Sequence, residues 1–181
     1  MLNIVVQAAA LSALSNVLAQ LISNYQENKP LTSFDLKPII IFVVYTILNT
    51  PINVLWQDWL EDAFPGAPTP PPIRPGDEKK PVQAPASNTR NLVIKWVLDQ
   101  TVGAAVNIGM FIAGVGALKG QGKDQIVASL QNDMWPIFMA GTKLWPAVSV
   151  ISFSVVPVDK RVIFGSVAGV VWGIYLSLAA K

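Results

Sequence analysis

Histidine and cysteine are absent from the chain, and charged side chains are scarce. The 181 residues include 13 Lys+Arg and 11 Asp+Glu, so charged residues make up 13% of the sequence. Without imidazole or thiol groups there is no disulfide, Ser-His-Asp triad, thiol nucleophile or ordinary zinc site. The net charge of +2 is too small to indicate nucleic-acid binding. We therefore expect no metal, no other cofactor and no nucleic acid, and we expect that the protein is not an enzyme.

Apolar residues make up 52% of the chain, and their distribution decides the class of protein. Five windows contain no charged residue: residues 1–26, 38–57, 100–118, 144–158 and 162–180. A helix of about 20 residues crosses the roughly 30 Å of hydrocarbon in a bilayer, and all the windows except residues 144–158 come near that length. The remaining polar residues could not cover all these segments in water. The predicted fold class is all-α, a polytopic transmembrane bundle of four to five apolar helices.

A proline-rich stretch divides the chain into two parts. Residues 65–90 hold eight of the 14 prolines, a composition typical of an extended, solvated linker without a core. We predict a first membrane helical pair in residues 1–64, a proline-rich loop in residues 65–90, and a second membrane half in residues 91–181.

The windows and the turn residues predict the individual helices. The first helix is expected over residues 3–23 and the second over residues 36–60, with Ser33 or Asp35 as its cap and a kink near Pro51. The third helix is expected over residues 92–119. A short amphipathic helix within residues 120–133 should precede two further apolar segments, residues 134–156 and 162–179.

Polar side chains inside the apolar segments are candidates for lining a passage through the membrane. Such groups are costly in hydrocarbon unless they are hydrogen-bonded or wet. The pore-lining candidates are Asn49, Asn53, Asp99, Gln100, Asn107, Lys143, Ser149 and Ser152. The alternatives are structural. The amides could join helices through hydrogen bonds, Asp99 could pair with Lys95 one turn away, and Lys143 could snorkel or lie in an extramembrane break.

Small residues recur every four positions in two of the predicted helices. The third helix carries Ala105, Gly109 and Ala113, and the last helix carries Gly165, Gly169 and Gly173. Stripes of this kind let helix backbones approach closely. We predict that both stripes are helix-packing faces, either within the chain or between copies in a homo-oligomer.

The second half of the sequence contains an ordered series of motifs. Asp99-Gln100 opens the third helix, Trp145-Pro146 follows, and Trp172 with Tyr175-Leu176-Ser177 comes last. In the first half, Thr50-Pro51 followed by Trp56 fits more loosely. The series resembles the Mpv-seventeen/PMP-twenty-two family of peroxisomal and mitochondrial integral membrane proteins. The family-motif residues are Pro51, Trp56, Asp99, Gln100, Trp145, Pro146, Phe153, Pro157, Arg161, Trp172, Tyr175, Leu176 and Ser177.

The sequence departs from the family pattern at positions that concern a pore. Ser149 and Ser152 stand where the family has Gln and Asn, and Thr50 replaces a Gly. Ala105 stands where a Pro often follows Asp-Gln. If the family's Gln and Asn line a pore, this version conducts differently or has mainly a structural role.

The resemblance implies an organelle membrane protein of about four spans, similar to weakly selective channels. We therefore predict a channel for passive diffusion of small hydrophilic solutes, with the lipid bilayer and these solutes as partners. The alternative is a non-conducting membrane scaffold or an organelle-sorting or tethering protein. The lack of an Arg-rich presequence favours the peroxisomal membrane, with the mitochondrial inner membrane as the alternative.

Overall fold

The computed structural model describes residues 1–66 and 88–179, with side chains up to Ile174. These residues form α1 (Leu2–Gln26), α2 (Leu36–Ala63), α3 (Thr89–Leu98), a π-helical segment (Asp99–Gly103), α4 (Ala104–Leu118), α5 (Lys123–Gly141), α6 (Trp145–Val155) and α7 (Val158–Ala179). The described part of the chain has no strand, so the all-α prediction is confirmed. Residues 67–87 of the predicted loop lie outside the described residues. Thr89 and Arg90, which were also assigned to that loop, are helical, and the rest of the predicted domain division stays a prediction.

A short loop joins α1 and α2, and amide side chains of α1 hold it in place. Asp35 caps α2, one of the two predicted caps, because its Oδ1 accepts a hydrogen bond from the Lys37 backbone N–H at 2.9 Å. The Gln20 amide bonds both backbone groups of Asp35, each at 2.8 Å. Asn24 donates to the Ser33 carbonyl at 2.7 Å. These bonds satisfy backbone groups of the loop that would otherwise need water. Beyond the loop, α1 and α2 pack side by side.

The third predicted helix is one continuous span of three parts, Thr89–Leu118, and it packs antiparallel to α2. Trp56 faces Gly103, and Tyr45, eleven residues earlier in α2, faces Gly114. A regular α-helix turns about 100° per residue, which would leave Lys95 and Asn107 roughly 120° apart around the axis. The π-helical segment fits one extra residue into its turn, so both side chains can point toward α2.

The fourth apolar segment differs from the prediction. A single helix, α5, covers both the expected amphipathic helix and the start of the apolar segment, and Pro136 lies inside it. The chain then breaks at residues 142–144 and continues as α6, with a bend of 59° between the two helices. Pro146 lies in the first turn of α6, where its missing N–H breaks no helical bond. Lys143 is exposed in this break, which lies between Pro136 and Pro146 as one alternative for this residue had it; that the break lies outside the membrane stays a prediction.

The last helix, α7, packs chiefly along α1 and also touches α2 and α6. Gly173 makes the closest approach, because a Cβ at this position would lie 2.6 Å from the Ser15 Oγ. The structure therefore gives α7 a close contact with α1 at this glycine.

The described residues contain three helices that are long and apolar enough to cross a membrane, namely α1, α2 and the Thr89–Leu118 span. The bent pair of α5 and α6 makes a fourth if it counts as one span. Large apolar side chains such as Leu48, Leu55 and Val171 are more than half exposed on the outer surface, as lipid-facing residues are. These features are those of an integral membrane protein, and whether α7 adds a fifth span stays a prediction.

Candidate functional site

Polar side chains form three neighbouring hydrogen-bonded clusters between α2, the third span, α6 and the start of α7. We define the polar column by its members: Asn49, Asn53, Gln57 and Glu61 on α2, Lys95, Asp99 and Asn107 on the third span, Ser149 on α6, and Arg161 on α7. The four α2 residues follow one another at intervals of four. From Glu61 to Asn49 the helix rises by about 18 Å, which is more than half of a hydrocarbon layer of roughly 30 Å.

Three asparagines form the inner end of the polar column. Asn107 donates to the Asn53 Oδ1 at 3.1 Å, and Asn49 donates to the Asn107 Oδ1 at 3.4 Å. Asn53 in turn donates to the Asn49 backbone carbonyl at 3.2 Å. The amides thus join α2 to α4 in the way that polar side chains join membrane helices.

Two buried oxygens of the polar column have no hydrogen-bond donor in the described part of the chain. They are the Asn49 Oδ1 and the Gln57 Oε1. A buried acceptor without a partner costs about 1–3 kcal/mol unless water reaches it. Both lie on the polar face of α2, so the column contains two buried acceptors that the described part of the protein leaves without a donor.

Asp99 occupies the middle of the polar column and accepts hydrogen bonds from neutral donors. The Trp56 indole N–H lies 3.1 Å from its Oδ1, and the Ser149 hydroxyl lies 2.8 Å from its Oδ2. The Gln100 amide adds a longer bond of 3.3 Å to Oδ2. Gly103 makes room for the indole, since a Cβ there would lie 3.1 Å from the Trp56 Nε1. Asp99 therefore ties α2 and α6 to the π-helical segment.

A buried charge cluster closes the other end of the polar column. The Glu61 Oε2 accepts from the Lys95 Nζ at 2.8 Å and from the Arg161 Nη1 at 2.7 Å, and the Glu61 Oε1 accepts from the Gly66 backbone N–H at 2.9 Å. The Lys95 side chain is 1% exposed and that of Arg161 6%, against 28% for Glu61. Phe153 lies beneath both cations, 5.6 Å from the Lys95 Nζ and 5.1 Å from the Arg161 Cζ, within cation–π range.

The charge cluster corrects one interpretation of the sequence. Lys95 was the expected structural partner of Asp99, but it pairs with Glu61, 34 residues away. Arg161 was expected only as a family-motif residue, and Glu61 was not among the candidate residues. Glu61 and Arg161 both lie beside apolar segments, and this position could have marked them as candidates. Their contact could not be predicted from the sequence, because they are 100 positions apart.

Six of the eight pore-lining candidates fall into two hydrogen-bonded groups of three. Asn49, Asn53 and Asn107 come together, as do Asp99, Gln100 and Ser149. Ser152 is 8% exposed next to Phe153, beside the polar column. Lys143 stands apart in the exposed break after α5. That these residues line a pore stays a prediction.

The predicted packing stripes meet few neighbours in the described structure. A Cβ at Gly109, Gly165 or Gly169 would have no atom within 4 Å, whereas one at Gly173 would contact Ser15. The close contacts of the third span are instead at Gly103 and Gly114. Whether Ala105, Gly109, Ala113, Gly165 and Gly169 pack against another copy stays a prediction.

Several motif residues hold α6 and α7 in place. Trp145 and Trp172 form an edge-to-face pair with ring centroids 6.4 Å apart. The Trp96 indole donates to the Pro146 carbonyl at 3.2 Å and so fastens the start of α6 to α3. Pro157 lies just before α7, and Pro51 lies inside α2. The side chains of Tyr175, Leu176 and Ser177 lie outside the described residues.

Comparison with known proteins shows which family the chain resembles. Residues 116–177 match the sequence model of the Mpv17 / PMP22 family. The chain is also 28% identical to the Mpv17-like protein of Bos taurus over 72% of its length, and 34% identical to Protein SYM1 of Yarrowia lipolytica over 48%. The chain therefore resembles the Mpv17 / PMP22 family. The resemblance that the motifs indicated is confirmed by these comparisons, and the apolar spans described above are those of an integral membrane protein.

The extent of the similarity differs from one relative to another. The chain covers 55% of the Mpv17-like protein and 43% of SYM1, so it spans about half the length of these relatives. A longer match, 29% identical, reaches 80% of PXMP2/4 family protein 3 of Dictyostelium discoideum and 96% of the present chain. No solved structure matches the chain significantly. In the described residues, no group of three or more acidic side chains is placed to hold a metal ion.

Proposed function

We propose that this protein is a channel through which small hydrophilic solutes diffuse passively along the polar column. The observation that carries the proposal is the pair of buried acceptors, the Asn49 Oδ1 and the Gln57 Oε1, for which the described protein supplies no donor. Polar residues that serve only to join helices satisfy one another, whereas a wet passage needs spare acceptors. The role is transport and not catalysis.

The length and the charge pattern of the column also support the proposal, because the column covers more than half of the hydrocarbon layer. It runs from the Glu61 cluster at one end of the bundle to the asparagines about 18 Å deeper, and Asp99 lies between them. Neutral donors surround Asp99, and Glu61 offsets only one of its two cations. Opposite charges therefore follow each other along the column, which suits uncharged solutes better than ions of one sign.

Solute flux into vesicles tests the proposal. The full chain is reconstituted into liposomes, and glycerol entry is followed by light scattering. We expect entry faster than in protein-free vesicles, and we expect Asn107→Leu to abolish the difference because it removes two bonds of the asparagine cluster and fills the column with apolar atoms. Asn16→Leu is the matched control, since it removes an amide from α1, outside the column. Wild-type vesicles that are no faster than empty ones would refute the proposal, as would unchanged flux in the Asn107 variant.

A scaffold function is the second candidate, and one observation favours it. Gly165 and Gly169 form a small-residue face of α7 with no atom within 4 Å of a Cβ at either position. A face of this kind suits close packing against another membrane helix. Under this hypothesis, Gly165→Leu with Gly169→Leu should dissociate an assembly in mild detergent and leave glycerol flux unchanged. The opposite pattern, in which size is unchanged and flux is lost, would favour the channel alone.

We propose an organelle membrane as the location, on the strength of the family resemblance, with the peroxisome preferred to the mitochondrial inner membrane. A fluorescent fusion imaged against markers of both organelles tests this choice. Signal on mitochondria alone would overturn the preference for the peroxisome.

A further inference from the structure

A groove that the proposed channel does not use lies on the surface beside the first turns of α1 and α7. Its volume is about 510 Å³, and its walls are formed by Gln7, Val156, Asp159, Lys160, Ile163 and Phe164. None of these residues belongs to the polar column. The groove therefore lies outside the proposed passage.

The position of the groove relative to the membrane follows from the charges at the start of α7. Asp159 and Lys160 are exposed in the first turn of this helix, while the neighbouring Arg161 turns inward to Glu61. Charged residues at the beginning of an apolar helix mark the membrane boundary. Phe164 comes six residues after Val158 and so lies about 9 Å deeper. On the prediction that α7 spans the membrane, the groove runs from the level of the lipid headgroups into the hydrocarbon.

The polarity of the walls changes along this direction. Asp159 and Lys160 are exposed in the first turn of α7, and Val156 lies at their level at the end of α6. The Gln7 amide offers donors and acceptors, and Ile163 and Phe164, one turn further along α7, are apolar. A glycerophospholipid has the same three chemical zones: a charged headgroup, ester carbonyls and an acyl chain. The Lys160 ammonium can bind a phosphate, the Gln7 amide can donate to an ester carbonyl, and the apolar wall can hold the upper part of a chain.

The groove carries one charge of each sign at the first turn of α7, and this selects among headgroups. Next to Lys160, the Asp159 carboxylate repels a second negative charge and attracts a positive one. A primary ammonium can also donate N–H bonds to the carboxylate, which a quaternary ammonium cannot do. We propose that the groove binds one glycerophospholipid whose headgroup carries a primary amine.

Lipid titration of the purified full chain tests the proposal. In mild detergent, thermal unfolding is followed by tryptophan fluorescence while phosphatidylethanolamine, phosphatidylcholine or phosphatidylglycerol with identical acyl chains is added. We expect half-maximal stabilisation at the lowest concentration for phosphatidylethanolamine. Asp159→Asn should weaken this lipid on the order of tenfold, as the loss of one charge-assisted bond does, and should leave phosphatidylcholine nearly unchanged. Lys160→Gln should weaken all three lipids.

Matched controls are available in the first turn of α5. Asp124→Asn and Lys123→Gln remove the same charges from an equivalent, exposed place in a helix, and they should change none of the titrations. Equal stabilisation by the three lipids would overturn the proposal, because it would indicate bulk lipid only. A preference for phosphatidylethanolamine that survives Asp159→Asn would also overturn it. If a variant does not fold, the order of the three lipids with the wild-type chain decides alone.

Discussion

Removing the Glu61 carboxylate should destabilise the bundle more than removing any other single charge at that end of α2. Glu61→Gln leaves Lys95 and Arg161 without their shared anion, and both cations are almost completely buried. Breaking a buried ion pair in this way costs about 3–5 kcal/mol, because an uncompensated charge stays in a low-dielectric site. Glu61 itself is 28% exposed, so water can reach the site, and we expect the lower end of this range, about 3 kcal/mol. For a domain of this size that corresponds to a fall in Tm of roughly 6–12 °C.

The assay is thermal unfolding of the purified chain in detergent, with Asp62→Asn as the control. Asp62 is the next residue along α2 and is exposed, so its loss should change Tm very little. Adding Lys95→Met to Glu61→Gln should recover part of the loss, because it removes one of the two unpaired cations. A Glu61→Gln variant as stable as Asp62→Asn would refute the argument, and so would a double variant that is less stable than Glu61→Gln.

Two further predictions concern the middle of the polar column. Gly103→Val should lower the free energy of unfolding by about 1–3 kcal/mol, because even a Cβ there would lie 3.1 Å from the Trp56 Nε1. Gly109→Val is the control and should be nearly neutral, because a Cβ at Gly109 has no atom within 4 Å. Equal losses of stability in the two unfolding curves would contradict the packing of Gly103 against α2. Ser149→Ala should lower the free energy of unfolding by about 1–2 kcal/mol, because it removes the 2.8 Å hydrogen bond to Asp99. Ser154→Ala removes an exposed hydroxyl from the same helix and should leave the stability unchanged. Chemical denaturation compares the two variants, and a Ser149→Ala variant as stable as the wild type would contradict the role of this bond.

Local patterns in the sequence predicted the helices well but not the contacts between them. Charge-free windows and the Asp35 cap placed α1, α2 and the third span within a few residues of their observed ends. The break at Lys143 was harder to place, because Pro136 is accommodated inside α5 and nothing local distinguishes a proline that breaks a helix from one that does not. Segment type depends on neighbouring residues, whereas the exact site of a break depends on the tertiary packing around it.

The candidate site was predictable only in part, for the same reason. The amide series Asn49 and Asn53 on α2 and the face shared by Asp99 and Asn107 could be seen as periodic patterns. The structure joins the three asparagines to one another and bonds Asp99 to Trp56 of α2. The partner of Lys95 could not be predicted, because the nearest acidic residue in its own helix is Asp99, whereas the observed partner, Glu61, belongs to a different helix. The glycine stripe at intervals of four also pointed to Gly109, while the π-helical segment brings Gly103 and Gly114 into contact with α2.

The charge cluster also has a consequence for the order in which contacts between helices can form during synthesis. Glu61 and Lys95 are 34 residues apart and can pair as soon as the second and third spans have been synthesised, but Arg161 follows Glu61 by 100 residues. At a synthesis rate of about 5–20 residues per second, the second cation arrives roughly 3–13 s after the first. The nascent chain can therefore hold a neutral carboxylate–ammonium pair during that interval. When α7 has been synthesised, the Arg161 guanidinium binds a Glu61 carboxylate that Lys95 already holds in position. The last helix thus docks onto an ion pair that the earlier helices have formed.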